Sequence, residues 1–196
     1  MSRRLVITGP RRSGKTTLAN ALSGIGELRE VQHYYPTIGV RIIGFEPNDE
    51  ECITVYDTSG DPSYRHIISS FCAGPVSLIF VFPAEAKDTL SPAEIQPYAL
   101  KGNVPAHKCL LLFTTRADDV SKATQSPLIP EVATKSFLCR LDDPTALRSL
   151  VCTWINQIDA WFRKSYNFNV SCFHVEKIIR NGNEYHGGIH NRTLDT

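Results

Sequence analysis

The segment with the strongest chemical signature is Gly9-x-x-x-x-Gly14-Lys15-Thr16. It lies between a short apolar, β-branched run at residues 5–8 and a stretch with leucines at helical spacing. In this context a glycine-rich loop lets backbone N–H groups surround a phosphate, while Lys15 contacts the β- and γ-phosphate oxygens and the Thr16 hydroxyl ligates Mg²⁺. The alternative is a turn with a structural role only. The nucleotide-binding residues predicted in this loop are Arg12, Ser13, Gly14, Lys15, Thr16 and Thr17.

Two later segments carry further groups that suit a nucleotide and its metal ion. Asp57-Thr58-Ser59-Gly60 follows a predicted strand, so the Asp57 carboxylate could hold a water of the Mg²⁺ shell and the Gly60 N–H could meet a γ-phosphate. Asp-x-x-Gly alone is common in turns, and its place about 40 residues beyond Lys15, after the second strand of a hairpin, is what favours this role. Thr37, in the loop between the two motifs, could close over the nucleotide and give Mg²⁺ a second hydroxyl.

Strand and helix signals alternate along the chain, which predicts how these segments are positioned. We expect strands near residues 5–8, 40–45, 52–56, 76–82, 109–113 and 136–141, with a hairpin turn at residues 47–50. A helix follows the glycine-rich loop and ends at Gly24 and Gly26, and another begins at Asp143-Pro144, a side-chain cap followed by proline. The pattern predicts an α/β fold of the P-loop NTPase type, with a mostly parallel six-stranded sheet and helices on both faces.

Composition narrows the range of partners. The chain has 196 residues, 42% of them hydrophobic and 21% charged, and a formal net charge of +1. This balance does not favour nucleic acid as a partner, and no apolar run is long enough to span a bilayer. Six cysteines occur without a CxxC pair, and four of them lie in apolar runs, which predicts buried free thiols in a reducing compartment. Those four are Cys52, Cys109, Cys139 and Cys152.

Taken together, these motifs resemble the Ras-like small GTPase superfamily, and its Rab-like branch most. The matching segments are the glycine-rich loop, Thr37 in Tyr-x-Pro-Thr-Ile-Gly, Asp57 to Gly60, and Thr115-Arg116-Ala117-Asp118. The resemblance covers residues 3 to about 163, predicted to be a small-GTPase-like domain within 1–163, and leaves 164–196 as a partly disordered extension.

The resemblance implies particular ligands and ligand-binding residues. It implies GTP or GDP with Mg²⁺, the metal being held by Thr16, Thr37 and, through water, Asp57. It also implies that Thr115, Arg116 and Asp118 contact the base, with the Asp118 carboxylate accepting two hydrogen bonds from guanine. Arg116 replaces the lysine usual in the family, and a guanidinium can also stack on a base.

Departures from the family pattern bear on catalysis and anchoring. Arg11 occupies a loop position usually held by a small residue, and Asp61 stands where a glutamine orients the attacking water. No catalytic residue is therefore assigned, and hydrolysis is expected to be very slow at most. The last guanine motif is not recognisable, although residues 140–142 stand roughly there. No cysteine lies in the last 24 residues, so we expect no prenyl anchor and no direct membrane attachment.

One subgroup combines these departures, the Rab-like family of intraflagellar transport B subunits, which Pro36–Ile42 and Leu141–Pro144 resemble in particular. The resemblance implies a structural or switchable adaptor in cilium or flagellum assembly, a monomer when isolated. It implies location in the cytoplasm, the cilium or flagellum and its basal body, with coiled-coil subunits of that complex as partners. Aromatic and apolar residues at 34–38 would meet the partner, or fold back onto the nucleotide or core. The alternatives are an active small GTPase enzyme in vesicle trafficking and, less consistent with residues 115–118, a P-loop nucleoside or nucleotide kinase.

Overall fold

The computed structural model describes residues 3–24, 34–48, 51–71, 76–86, 88–99, 104–115, 124–125 and 132–158. The chain divides into two compact units, Met1–Asn156 and Gln157–Thr196. All contacts described below lie within the first unit. The predicted domain end at residue 163 and the extension beyond it lie outside the described residues, so both stay predictions.

A mostly parallel sheet forms the centre of the first unit, as predicted. Its strands are β1 (Arg4–Thr8), β2 (Val40–Asn48), β3 (Glu51–Thr58), β4 (Ser77–Pro83), β5 (Cys109–Thr115), β6 (Thr124–Gln125) and β7 (Lys135–Arg140). The order across the sheet is β2-β3-β1-β4-β5-β7-β6. Among the strands that the structure describes, only the β2–β3 and β6–β7 pairs are antiparallel. Six strands of five residues or more thus carry the sheet, and the two-residue β6 extends its edge.

Helices cover both faces of this sheet because successive strand residues point to opposite sides. The helices are α1 (Lys15–Ser23), α2 (Arg65–Phe71), α3 (Pro92–Ile95) and α4 (residues 144–158). On one face Val6 packs in a buried cluster with Ile68 of α2 and Ile95 of α3. On the other face α1 lies against β1, β2 and β3. Arg148 of α4 donates a hydrogen bond to the carbonyl of Leu22, which places α4 beside α1.

The predicted helix ends are confirmed where the structure describes them. Gly24 follows α1 in the left-handed conformation, with φ of 67°, as a C-terminal cap. The Asp143 carboxylate accepts a hydrogen bond from the backbone N–H of Ala146 at 2.8 Å and caps α4. Gly26, the other predicted end signal, lies outside the described residues.

The β2–β3 hairpin departs from the predicted boundaries. Strand β2 runs on through Pro47 to Asn48, so the predicted turn at 47–50 began too early. Proline is tolerated there because β2 is an edge strand, and the register shifts between Phe45 and Asn48. Strand β3 continues to Thr58, which places Asp57 inside the strand rather than after it.

The cysteine prediction is only half right. Cys109 and Cys139 are buried free thiols, and burial raises the pKa of each to about 12. Cys52 is exposed, contrary to prediction, because β3 alternates at the hairpin end and its neighbour Ile53 takes the buried side. Cys152 is partly buried. In the described part of the chain, no helix is long and apolar enough to cross a membrane.

Candidate nucleotide-binding site

The loop between β1 and α1 is shaped by two glycines at positions that exclude a side chain. Gly9 has φ of +144°, and a Cβ there would lie 2.0 Å from the backbone oxygen of Val81. Gly14 has φ of +87°, and a Cβ there would lie 2.7 Å from the side chain of Leu141. The loop therefore packs tightly against β4 and the end of β7, and only glycine fits at these two points.

Lys15 is the first residue of α1 and is almost completely buried. Its Nζ donates a hydrogen bond to the Pro10 carbonyl at 2.5 Å, which draws the ammonium back over the loop. Burial lowers the pKa of Lys15 to about 8, and the nearby Asp57 carboxylate opposes that shift. An anion placed in the loop would favour the charged ammonium, so the site is electrostatically suited to phosphate.

Three predicted metal ligands meet beside Lys15. The Oγ1 atoms of Thr16 and Thr37 lie 2.8 Å apart, although 21 positions separate them in the chain. Asp57 is fully buried, and neither carboxylate oxygen has a hydrogen-bond partner among the described residues. Burial raises the pKa of Asp57, and Arg41, Thr16 and Lys15 each oppose that shift. Hydroxyl and carboxylate oxygens are the ligands Mg²⁺ prefers, and the Asp57 oxygens, which accept no hydrogen bond from the described residues, suit a metal-bound water.

The segment after β3 joins the loop to the Thr37 segment. A Cβ on Gly60 would lie 2.4 Å from the Arg11 backbone nitrogen, so this glycine packs directly on the loop. The Ser59 N–H donates to the Gly39 carbonyl at 2.8 Å. The Thr58 hydroxyl donates to the Ile7 carbonyl at 2.8 Å, which fixes the segment to β1. The structure thus brings the predicted residues Gly60 and Thr37 to the edge of the phosphate-binding loop.

The Asp61 carboxylate is engaged by two neighbouring residues. Its carboxylate pairs with the Arg11 guanidinium and accepts the Ser63 N–H at 3.0 Å, which caps a 3₁₀ turn at Pro62–Tyr64. These contacts, the Ser63 bonds foremost, lower the pKa of Asp61, so it stays an anion. An anion at this point disfavours an approaching hydroxide or γ-phosphate.

The structure describes some of the remaining residues that were predicted to bind the nucleotide, but not all of them. The Arg12 guanidinium lies 5.3 Å from the centre of the Tyr34 ring, so its side chain packs on that ring, while its backbone stays in the loop at φ of 61°. Thr17 lies half-buried in the first turn of α1. Thr115 ends β5, and its carbonyl accepts the Leu141 N–H at 3.0 Å. The predicted guanine contacts Arg116 and Asp118 lie outside the described residues and stay predictions.

Two residues that the motifs did not single out support the site. The Thr114 hydroxyl donates to the Ser13 carbonyl at 2.8 Å and ties the loop to β5. Arg41 Nη2 lies 3.2 Å from Asp57 Oδ2. The hairpin register, which places Arg41 directly opposite Asp57, was the available signal for the second contact.

A glycine-rich loop leads from the first strand of this sheet into α1, with Thr37 beside Thr16 and a buried Asp57, and this arrangement has the small-GTPase fold with a P-loop. The structure of the Arl6 BBS3 small GTPase from Trypanosoma brucei, with bound nucleotide analogue GppNp, supports this assignment. It has a TM-score of 0.53 and 19% sequence identity, and the match covers 82% of this chain and 99% of that one.

The sequence is similar to the intraflagellar transport protein 22 homolog of Xenopus tropicalis, with 27% identity over 164 residues. That match covers 79% of this chain and 89% of the relative. The GTP-bound T. brucei IFT22/74/81 crystal structure has a TM-score of 0.61 and 17% identity, and the match covers 84% of this chain and 99% of that one. No family model matches the chain. The predicted resemblance to Rab-like intraflagellar transport proteins within the small GTPases is confirmed.

Proposed function

We propose that this chain is a guanine-nucleotide-binding subunit of the intraflagellar transport particle, acting as a structural or switchable adaptor in cilium or flagellum assembly. The observation that carries the proposal is the meeting of the Thr16 and Thr37 hydroxyls, 2.8 Å apart, beside the loop and Asp57. Similarity to intraflagellar transport protein 22 supplies the cellular setting. By the same similarity we propose the cytoplasm and the cilium or flagellum with its basal body as its location.

The nucleotide would be GTP or GDP with Mg²⁺. The loop N–H groups and Lys15 would bind the phosphates, and the Gly60 N–H would reach a γ-phosphate. Thr16 and Thr37 would ligate the metal, with Asp57 acting through water. The metal, when bound, would supply positive charge to the phosphates. Asp118 would select guanine through two charge-assisted hydrogen bonds.

Hydrolysis would be very slow at most, because Asp61 is committed to Arg11 and Ser63. The active-enzyme alternative requires a group free to orient water at this point, and Asp61 offers an anion instead. A single-turnover measurement on GTP-loaded protein checks this. We expect phosphate release no faster than the unaided rate of a small GTPase, about 10⁻⁴ s⁻¹. Rapid release without any partner would favour the enzyme alternative.

The partner surface would be the apolar strip formed by Tyr34, Tyr35, Ile38 and Ile42. These four side chains are 51%, 80%, 78% and 55% exposed, which leaves a large apolar area in contact with water. The neighbouring Thr37 joins this strip to the metal ligands, so a triphosphate would order it. Coiled-coil subunits of the intraflagellar transport B complex are the proposed partners. The T. brucei IFT22/74/81 assembly supports a partner of this kind.

A pull-down with those coiled-coil subunits tests the adaptor role. Full-length protein loaded with GppNp should retain them, and GDP-loaded protein should retain less. Tyr35→Ala with Ile38→Ala should abolish retention. Thr153→Ala, a change on the exposed face of α4, serves as the matched surface control. Equal retention in both nucleotide states would remove the switch, and full retention by the double variant would remove the proposed surface.

A further inference from the structure

Arg41 makes contacts that the proposed nucleotide chemistry does not require. It lies in β2 opposite Asp57 of β3, so both side chains project on the same face of the hairpin. A single terminal nitrogen, Nη2, lies 3.2 Å from Asp57 Oδ2 and donates to Asn20 Oδ1 at 2.8 Å. The guanidinium is therefore fixed between α1 and β3, at the carboxylate proposed to hold a metal-bound water.

The charges around Asp57 make this contact consequential. Asp57 is fully buried, and an isolated buried carboxylate is costly in free energy. Two cations face it, Arg41 and Lys15, and Arg41 Nη2 lies within ion-pair distance of Oδ2. Lys15 is also hydrogen-bonded to the Pro10 carbonyl and is proposed to bind phosphate. Arg41 is thus the cation best placed to compensate Asp57 when no metal does so.

We propose that Arg41 is the internal counter-ion of Asp57, a cation that competes with Mg²⁺ for this carboxylate and thereby weakens the metal dependence of nucleotide binding. The metal-dependence half of this inference rests on the proposed function. With Arg41 present, the phosphates approach a carboxylate that is already neutralised. With Arg41 replaced, Lys15 is still engaged by the Pro10 carbonyl and by the phosphates, so Mg²⁺ becomes the main cation left to neutralise Asp57. Removing the metal then leaves two anions in conflict.

Thermal unfolding of the nucleotide-free, full-length protein tests only the claim that Arg41 is the counter-ion of Asp57. Arg41→Gln should lower the melting temperature by about 5 °C, because it leaves a buried charge unpaired. Adding Asp57→Asn to that variant should restore at least half of the loss. Arg3→Gln, which breaks the ion pair between Arg3 and Glu51 away from the site, is the control and should lower the melting temperature less. If Arg41→Gln fails to fold, a double variant that folds supports the proposal. A double variant no more stable than Arg41→Gln alone overturns it.

Binding of GDP in Mg²⁺ and in EDTA tests the claim that Arg41 competes with Mg²⁺ for Asp57. The dissociation constant in EDTA divided by the one in Mg²⁺ should be about tenfold larger for Arg41→Gln than for the wild type. Arg41→Lys, which keeps a positive charge, should lie between them. Equal weakening in Mg²⁺ and EDTA, or no weakening, overturns the competition with metal. If the wild type binds no GDP in Mg²⁺, the proposed function fails, while the melting comparison still decides whether Arg41 is the counter-ion.

Discussion

The phosphate-binding loop at residues 9–16 and the segment at residues 34–39 meet through the Thr16–Thr37 hydrogen bond and the packing of Arg12 on Tyr34, yet they are built in opposite ways. In the loop, Ser13 and Lys15 are buried, Gly9 packs against β4 and Gly14 packs against Leu141. In the segment, Tyr35 and Ile38 are 80% and 78% exposed. The hydroxyl contact to Thr16 and the Gly39 carbonyl attach the segment to the site. The difference indicates that the loop is shaped for binding, whereas the segment can change conformation at little cost to the core.

Adding a methyl group to one glycine of each region tests this contrast and should give the largest effect. Gly9→Ala places a Cβ 2.0 Å from a backbone oxygen that cannot yield, so we expect a loss of about 3 kcal/mol or more in the free energy of unfolding. Gly39→Ala also has positive φ, 65°, but no atom lies within 4 Å of its Cβ. We expect a loss of about 1 kcal/mol there. Chemical denaturation measures both, and equal losses would contradict the contrast.

Replacing the buried cation of the loop should separate binding from stability. Lys15→Met removes charge-assisted contacts to phosphate worth about 1.5–3 kcal/mol, so we expect GDP affinity to fall by about 10- to 100-fold. Its pKa, lowered by burial to about 8, shows that the folded protein carries this ammonium at a cost. The melting temperature of the nucleotide-free variant should therefore not fall. Lys135→Met in β7 is the control for titration calorimetry, and it should bind GDP normally.

The contrast also explains which features were predictable from the sequence. Loop chemistry is local, so the spacing of Gly9, Gly14, Lys15 and Thr16 predicted a phosphate-binding loop between strand and helix, where the structure has it. The mostly parallel sheet with one hairpin followed from the alternation of elements, whereas its strand order was not predicted. The Thr16–Thr37 contact followed from assigning both hydroxyls to one metal ion, rather than from any local pattern.

What escaped prediction depends on register and on the edge of the sheet. Arg41 was not singled out because its contact with Asp57 requires the exact pairing of β2 with β3. Two other features of this hairpin were also not predicted. They are the exposure of Cys52 and the continuation of β2 through Pro47. An apolar run does not tell which face of an edge strand meets solvent, since only tertiary packing decides that.

Truncating the exposed residues of the segment should have the smallest effect on stability. Tyr35→Ala with Ile38→Ala should change the free energy of unfolding by no more than about 0.5 kcal/mol. Phe45→Ala, at a fully buried aromatic in β2, should cost about 3–5 kcal/mol and serves as the comparison. Urea denaturation of the three proteins measures this. A large loss in the double variant would show that the segment belongs to the core.

The most direct test of the account is titration of the full-length protein with GDP and with ADP in Mg²⁺, on the wild type and on Asp118→Ala. The account predicts that the wild type binds GDP far more tightly than ADP. Asp118→Ala should lose much of that preference, because each charge-assisted hydrogen bond to guanine is worth about 1.5–3 kcal/mol. Equal affinity of the wild type for GDP and ADP would contradict the assignment of this chain as a guanine-nucleotide-binding protein.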